Sequence, residues 1–292
     1  MADIYVGTCS WSDHANFYPA GLRSTEQITY YAQRFPIVEV NSTFYRMPPV
    51  RNFLAWAQRT PPGFVFDVKP YRQITWHDRD NPPEDAQTLL FSETLQPLRE
   101  ADKLGAVHLQ FPPWYVRRPE NLAYIAHVRE LFAGDLVGVE FRNTSWYEED
   151  HVEEVLAALR DMDVALTVVD EPNLGSGSAP TLLEVTHPRL TIVRFHGRNY
   201  QKWYARTATT GERFDYRYSE EELAEWVPKV ERLAERTSTL HLLFNNNAQN
   251  YAVTNARQLR LMLDDALPAH RIVPPAGEAA DEARALGAER GA

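Results

Sequence analysis

The sequence predicts an α/β protein in which eight parallel β-strands alternate with helices. Three observations lead to this prediction. The 292-residue chain is 44% hydrophobic and 24% charged, which is the composition of an ordinary globular protein. Short β-rich runs alternate with amphipathic runs along most of the chain, a pattern that is typical of βαβ units and parallel sheets. The β-rich runs number eight, as in a closed α/β barrel.

The eight predicted strands are short runs rich in β-branched and aromatic residues. They cover residues 4–8, 37–41, 64–69, 106–111, 136–141, 164–169, 191–196 and 240–245. Eight strands in this order favour a single TIM-type (β/α)8 barrel, and the alternative is an open doubly wound sheet. The first strand is not followed by a glycine-rich dinucleotide-binding fingerprint.

Helical patterns fill most of the intervals between these strands. Ser24 and Gln27, like Ser219 and Glu222, have the spacing of a capping box before an apolar run. The interval 173–188 contains the sequence Gly-Ser-Gly-Ser-Ala-Pro and lacks a helical period. The sixth βα unit is therefore predicted to be degenerate.

Two further features of the sequence are its net charge and the composition of its C-terminal residues. The net charge is -10, whereas proteins that bind nucleic acid over their whole surface are usually basic. A local basic cleft remains compatible with this charge. Residues 273–292 are rich in Ala, Glu and Gly, so we expect a barrel domain over residues 1–272 and a flexible tail after it.

The sequence favours a cytoplasmic protein that has no membrane segment. No apolar run approaches the ~20 residues that span a bilayer, and the first residues lack the pattern of a signal peptide. The single cysteine, Cys9, excludes a disulfide framework and therefore a disulfide partner. The sequence does not determine the oligomeric state.

Polar residues alternate with apolar ones in several predicted strands, although buried parallel strands are normally apolar throughout. Successive side chains point to opposite faces, so one face of each strand is polar. In a barrel this face points into the lumen, and it carries Glu39, Asn41, Lys69, His108, Gln110, Glu140, Arg142, Arg194 and His196. Barrel enzymes place their sites at the carboxyl ends of the strands, so the pattern predicts a site there. The alternative is a purely structural ion-pair network.

Eight stretches at the predicted strand ends resemble the YecE-like family, catalogued as domain of unknown function 72. They are VGTCSW at 6–11, EVNSTFY at 39–45, FDVKPYR at 66–72, LQFPP at 109–113, GVEFRNTSW at 138–146, DEP at 170–172, VRFHGRN at 193–199 and FNNN at 244–247. The resemblance covers about residues 3–268. It implies a TIM-type barrel, which agrees with the strand count, and it implies no particular reaction.

The strand-end residues suggest a hydrolase or lyase that acts on a small anionic ligand, either phosphorylated or derived from nucleic acid, or on a short nucleic-acid segment. Arg142, Arg194 and Arg198 are predicted to clamp the anion. The predicted acid–base groups are Glu39, Glu140, His196 and Asp170. The other predicted ligand contacts are Asn41, Lys69, His108, Gln110 and Asn246, with the aromatic residues Trp11, Tyr45, Trp146 and Trp203.

Two other functions fit the same residues. Glu39 and Glu140 among aromatic loops would suit a carbohydrate-active barrel, and a fully paired lumen would suit a ligand-binding protein without catalysis. No cofactor is predicted. A divalent metal is compatible with His108, Glu140 and His196 as ligands, but the neighbouring cationic side chains disfavour it.

Overall fold

The structure, a computed structural model, describes residues 1–14, 16–203 and 212–277. Eight parallel strands close into a barrel, because the first strand pairs with both the second and the eighth. The predicted TIM-type barrel is confirmed, and the open-sheet alternative is wrong. The strands are β1 Asp3–Cys9, β2 Ile37–Val40, β3 Val65–Val68, β4 Leu104–Gln110, β5 Val137–Glu140, β6 Val164–Asp170, β7 Thr191–Phe195 and β8 Thr239–Phe244.

Ten α-helices lie in the described part of the chain. They are α1 Ser24–Ala32, α2 Ser42–Tyr45, α3 Val50–Arg59, α4 Asp85–Thr94, α5 Gln96–Glu100, α6 Pro119–Leu131, α7 Val152–Asp161, α8 Glu220–Ala224, α9 Val227–Ala234 and α10 Tyr251–Ala266. The capping box of Ser219 and Glu222 forms, whereas Ser24 is the first residue inside α1 and caps nothing. Residues 171–190, all described, contain no helix, so the sixth unit is degenerate as predicted. None of the described helices has the length and apolar character needed to cross a membrane.

The alternation of side chains divides the apolar core into two clusters. The larger cluster lies between the strands and the helices and includes Val38, Phe66, Val107 and Leu109. The smaller cluster lies inside the barrel and contains Cys9, Ile37, Ala106, Ala165, Leu190, Ile192 and Leu243. On three strands the buried polar residue follows an apolar lumen residue by two positions: Glu39 after Ile37, His108 after Ala106 and Arg194 after Ile192. The apolar base of the lumen thereby supports a polar layer nearer the carboxyl ends.

A short ninth strand, β9 Arg271–Ile272, lies beside the first residues of β1. It pairs with Asp3 and Ile4, whereas β2 pairs with β1 only at the other end of that strand. The chain remains packed after β9, since the Val273 amide donates to the Ile4 carbonyl at 2.9 Å and both Val273 and Pro275 are buried. Residues 278–292, which make up most of the predicted tail, lie outside the described residues.

We expect a chain that ends at Gly277 to be more stable than one that ends at His270. Only the longer chain retains β9 and the buried side chains of Ile272 and Val273. Burial of an aliphatic side chain contributes about 1.5–3 kcal/mol, so the free energies of unfolding should differ by about 3 kcal/mol. Urea unfolding of both chains, followed by circular dichroism, measures the difference. Equal stability would contradict a role for β9 in holding β1.

Candidate functional site

The centre of the site is a buried guanidinium that joins two buried carboxylates. Arg194 on β7 donates from Nη2 to Glu39 on β2 at 2.8 Å and from Nη1 to Glu140 on β5 at 2.7 Å. The three side chains are at most 2% exposed. Charges at this depth are tolerated only when they are paired and hydrogen-bonded, so each member of the trio requires the others.

The carboxylate of Glu39 is held from a second side by a histidine. His108 on β4 contacts Glu39 Oε2 through Nδ1 at 2.8 Å, and its Nε2 lies 3.1 Å from the hydroxyl of Thr167 on β6. Burial alone would raise the pKa of Glu39, but Arg194 and His108 together outweigh burial and hold this pKa below its ordinary value. Glu39 therefore stays ionised at neutral pH and acts as a counter-ion.

Glu140 is likewise contacted by Arg194 on one oxygen and by a histidine, His196, on the other. The Nε2 atom of His196 lies 3.1 Å from Glu140 Oε1 and 3.0 Å from Arg142 Nη1, and its Nδ1 atom lies 3.0 Å from the amide nitrogen of Asn245. Burial lowers the pKa of His196 to about 3, so the ring is neutral at physiological pH. Burial would raise the pKa of Glu140, but Arg194 and His196 hold it well below its ordinary value.

Arg142 connects this network to a third carboxyl group. Its Nη1 atom lies 3.0 Å from Glu140 and its Nη2 atom 3.0 Å from Glu171, while its guanidinium lies 5.3 Å from the ring centroid of Trp203. Burial raises the pKa of Glu171 to about 7, and the opposing effect of Arg142, which is shared with Glu140, offsets this only in part. Glu171 is therefore a buried carboxyl that titrates near neutral pH.

A cleft of about 710 Å³ opens above this network at the carboxyl ends of the strands. Its described wall contains one carboxylate, Asp13, and four cations: Lys69, Arg142, Arg194 and Arg213. The remaining polar and aromatic lining residues are Asn41, Gln110, Asn245, Asn247, Phe44, Tyr45, His77, Trp114, His196 and Phe214. Cations therefore outnumber carboxylates among these lining residues although the chain as a whole is acidic, and of the four cations Arg142 and Arg194 are paired with carboxylates beneath the cleft.

Lys69 differs from the arginines at the floor of the cleft. Its ammonium group donates to Gln110 Oε1 at 2.9 Å and lies 4.6 Å from the centroid of the Phe44 ring. No carboxylate among the described residues comes within 4 Å of it, and the residue is only 8% exposed. Burial and the nearby charge of Arg194 lower the pKa of Lys69 to about 8.

Most of the predicted site residues do meet at one place. Arg142, Arg194 and His196 form the floor of the cleft, and Glu39, His108 and Glu140 lie directly beneath it in the same hydrogen-bonded network. The wall contains Asn41, Tyr45, Lys69 and Gln110, and Trp203 lies beside Arg142. Five predicted residues lie elsewhere: Trp11, Trp146, Asp170, Arg198 and Asn246.

Asp170 and Arg198 form an ion pair between the barrel and the helices α8 and α9. Arg198 donates to both carboxylate oxygens of Asp170, at 2.9 and 2.7 Å, and Trp226 donates to Asp170 Oδ2 at 2.6 Å. Alternation would keep Arg198 on the lumen side, but Gly197 has a φ of +89°, and this left-handed turn redirects the chain. The pair attaches the helical layer to the strand ends.

The other three displaced residues are packing residues. Trp146 is 1% exposed and stacks on Phe141 with 4.0 Å between the ring centroids. Asn246 is fully buried and hydrogen-bonds to the first turns of α10. Trp11 packs edge to face on Trp56 of α3 and borders a separate cavity of about 250 Å³. Neither composition nor spacing distinguishes such residues from ligand contacts.

The candidate metal ligands are already committed to other partners. Oε1 of Glu140 contacts Arg142 and His196, and Oε2 accepts from Arg194. His108 lies 3.9 Å from Glu140 and is hydrogen-bonded elsewhere. Within the residues that the structure describes, no group of three or more His, Cys, Asp or Glu side chains is placed to hold a metal ion.

The structure adds residues that the sequence did not assign to the site, among them Glu171, Asn245, Arg213 and His77. Strand alternation could have identified Glu171 and Asn245, because Thr167 on β6 points into the lumen and Glu171 follows it at an even spacing. Arg213 and His77 lie on loops, where no periodic signal exists. Loop residues of this kind can be assigned to a site only from the folded structure.

Comparison with known proteins places this architecture among relatives of similar length. Residues 5–278 match the family model described as "Protein of unknown function DUF72". The chain is 36% identical over 267 residues to the UPF0759 protein YunF of Bacillus subtilis (strain 168), covering 89% of this chain and 95% of that protein. It is 29% identical over 154 residues to the UPF0759 protein YecE of Escherichia coli (strain K12), covering 52% and 53% of the two chains.

Solved structures have the same barrel. A DUF72 family protein from Enterococcus faecalis V583 matches with a TM-score of 0.83 and 30% identity over 89% of this chain and 95% of that one. A DUF72 family protein from Thermotoga maritima MSB8 matches with a TM-score of 0.79 and 33% identity over 90% and 99%. A xylose isomerase domain containing protein from Salmonella typhimurium LT2, at 12% identity and a TM-score of 0.50 over 90% and 96%, shares the fold alone.

Replacing Arg194 by Met should destabilise the protein strongly. The substitution leaves two buried carboxylates without their shared cation, and breaking a buried ion pair in this way costs about 3–5 kcal/mol. Arg271→Met removes a mostly exposed ion pair with Asp3 and should cost about 0–1 kcal/mol. Urea unfolding of the two variants makes the comparison, and similar losses would contradict the central role of Arg194.

Replacing Glu171 by Gln should change the pH dependence of stability. The folded protein keeps the Glu171 proton up to a pKa of about 7, whereas an unfolded glutamate releases it near about 4.3. The stability from this raised pKa is therefore lost as the pH rises through 7. Relative to wild type, Glu171→Gln should gain roughly 2 kcal/mol between pH 5 and pH 8. Unfolding at both pH values measures this gain, and Glu149→Gln, at an exposed site, should show none.

Proposed function

The chain belongs to the DUF72 family, and from its cleft we propose that it binds a small anionic ligand at the carboxyl ends of the barrel strands. The observation that carries this proposal is the charge of the described cleft wall, where four cations face a single carboxylate. The chain has a net charge of -10, so this excess of cations is local to the cleft. A cleft lined by one sign of charge concentrates ligands of the opposite sign.

The cations differ in what they offer to such a ligand. Arg142 and Arg194 are held in place by the carboxylates beneath the cleft, so they lose little side-chain freedom when an anion binds. Lys69 and Arg213 have no carboxylate within 4 Å among the described residues, so their charge is available to the ligand. Pre-organised and available cations together favour a carboxylate or phosphate group.

Aromatic side chains at the mouth of the cleft would contact the rest of the ligand. Tyr45 is 72% exposed and Trp114 is 44% exposed, and both line the cleft with Phe44 and Phe214. Large aromatic side chains left exposed beside a polar site often mark a binding surface. They suit a ligand that has an apolar or planar portion beyond its anionic group.

Of the two predicted reaction classes, the geometry favours a lyase over a hydrolase that uses paired carboxylates. Glu39 and Glu140 are fully buried, remain ionised and do not line the cleft. A glycosidase needs both of its carboxyl groups beside the sugar, so the carbohydrate-active alternative is disfavoured. Lys69, in contrast, lines the cleft and has a pKa of about 8, so it exchanges protons near neutral pH.

Replacing Arg213 by Gln should weaken the binding of inorganic phosphate and pyrophosphate. Arg213 is exposed, so the substitution should leave the fold intact. Loss of one charge-assisted contact is worth about 1.5–3 kcal/mol, which corresponds to a tenfold or larger rise in Kd. Isothermal titration calorimetry on both proteins measures the change.

Arg217→Gln is the matched control for this experiment. Arg217 is also exposed, lies on the same loop and does not line the cleft. Its substitution should leave the Kd unchanged. Equal weakening by both variants would mean that the general surface charge attracts the anion, and no binding by wild type would contradict the proposed function.

A further inference from the structure

We propose that Lys69 is a nucleophilic amine that forms a Schiff base with a small carbonyl compound carrying a carboxylate or phosphate group. The inference rests on the proposed anion binding and adds the substrate class and the reacting atom. The carbonyl carbon would meet Nζ of Lys69 while the anionic group contacts the arginines of the same cleft. Three properties of the side chain support this role: its position, its partners and its electrostatic environment.

Lys69 has the position that a nucleophile in a barrel requires. It directly follows β3 at the carboxyl end of the barrel, and it lines the cleft although it is only 8% exposed. Gln110 is its hydrogen-bonded partner, and the Phe44 ring covers one side of the ammonium group. The amine of Lys69 is therefore held in place and faces the cleft.

Lys69 differs from the other buried lysine, Lys103, in its partners. The chain has four lysines, and Lys103 also has a pKa that burial lowers. The ammonium of Lys103 donates to the carbonyl oxygens of Ala57 and Thr60, both at 2.6 Å, and to the Thr60 hydroxyl at 3.0 Å. All three of its protons are used, so Lys103 joins α3 to the barrel as a structural cation. Among the described residues the ammonium of Lys69 has one acceptor, Gln110, so two of its N–H groups remain for a ligand.

The two remaining lysines lie outside the cleft. Lys202 is 44% exposed on its side chain and lies 3.5 Å from Asp215, and Lys229 lies over the Trp226 ring at 4.8 Å. These lysines therefore serve as internal standards for the reactivity of Lys69.

The surroundings of Lys69 favour its neutral, nucleophilic form. Burial and the positive charge of Arg194 lower its pKa to about 8, so roughly a tenth of the amine is neutral at pH 7. Desolvation and a neighbouring cation are the two means by which proteins activate a lysine for Schiff-base chemistry. Both are present here, and they outweigh the opposite effect of the Glu39 and Glu140 carboxylates on the pKa of Lys69.

The proposed step is balanced without any further reagent. The lone pair of Nζ attacks the carbonyl carbon, a C–N bond forms, and the π electrons move to oxygen, which takes a proton from the nitrogen. The carbinolamine oxygen takes a second proton and leaves as water, and Nζ releases its remaining proton. One amine and one carbonyl thus give one imine and one water, and no oxidant or reductant takes part.

The test traps the imine in the full wild-type chain with sodium cyanoborohydride. Two aldehydes are compared, glycolaldehyde phosphate and neutral glycolaldehyde, and the labelled lysine is identified by peptide mass spectrometry. With the phosphate ester, Lys69 should be labelled at least about tenfold faster than Lys202, the lower end of the enrichment that a charge-lined cleft provides. With neutral glycolaldehyde this preference should become smaller, because only the lowered pKa of the amine then favours Lys69, and inorganic phosphate should slow the labelling of Lys69 by the phosphate ester.

Lys69→Met provides the control for the adduct. The variant should lose the fast-labelled peptide and keep slow labelling of the other lysines, and circular dichroism checks that it folds. Phosphate binding without preferential labelling of Lys69 would overturn the Schiff base and leave the proposed anion binding intact. Absence of both phosphate binding and preferential labelling would overturn both, and equal labelling of Lys69 by the two aldehydes would overturn the assigned substrate class.

Discussion

The ion pair of Arg194 with Glu39 and Glu140 joins three strands, β2, β5 and β7, across the lumen of the barrel. Two ionised carboxylates at this depth would be strongly destabilising without the guanidinium between them. The pair also orients its neighbours, because Glu39 then contacts His108 and Glu140 contacts His196. The polar layer of the barrel thus takes its geometry from one buried arginine.

This arrangement decides which charges a ligand meets. The carboxyl groups of Glu39, Glu140 and Glu171 are all engaged with arginines of the floor, so they are not presented to the cleft. Lys69 and Arg213 are left facing the ligand space with no such partner in the described chain. Although the protein is acidic, cations predominate in the cleft because these carboxylates are paired inside the barrel.

Strand periodicity explains both the success and the limits of prediction from the sequence. Because side chains alternate strictly along a strand, the floor residues could be recognised from polar positions at even spacing. The same alternation separates Glu171, which reaches Arg142, from Asp170, which faces α9. Arg213 could not be found in this way, since loops have no period and their residues approach the cleft only through the fold. For the same reason, the sequence does not distinguish a buried tryptophan such as Trp146 from one that faces a ligand, because both lie in loops.

The pairing of β1 has a consequence for the order of events during synthesis. This strand, which precedes the other barrel strands in the chain, pairs with β2 at only two positions but with β8 at six, and β9 also pairs with its first residues. Its principal partners are therefore synthesised only after β2 to β7. Contacts between such distant parts of a chain form slowly, and an unpaired apolar strand is prone to aggregation while it waits. The contact of β1 with β8 and β9 is consequently the place where a nascent chain most needs protection from aggregation.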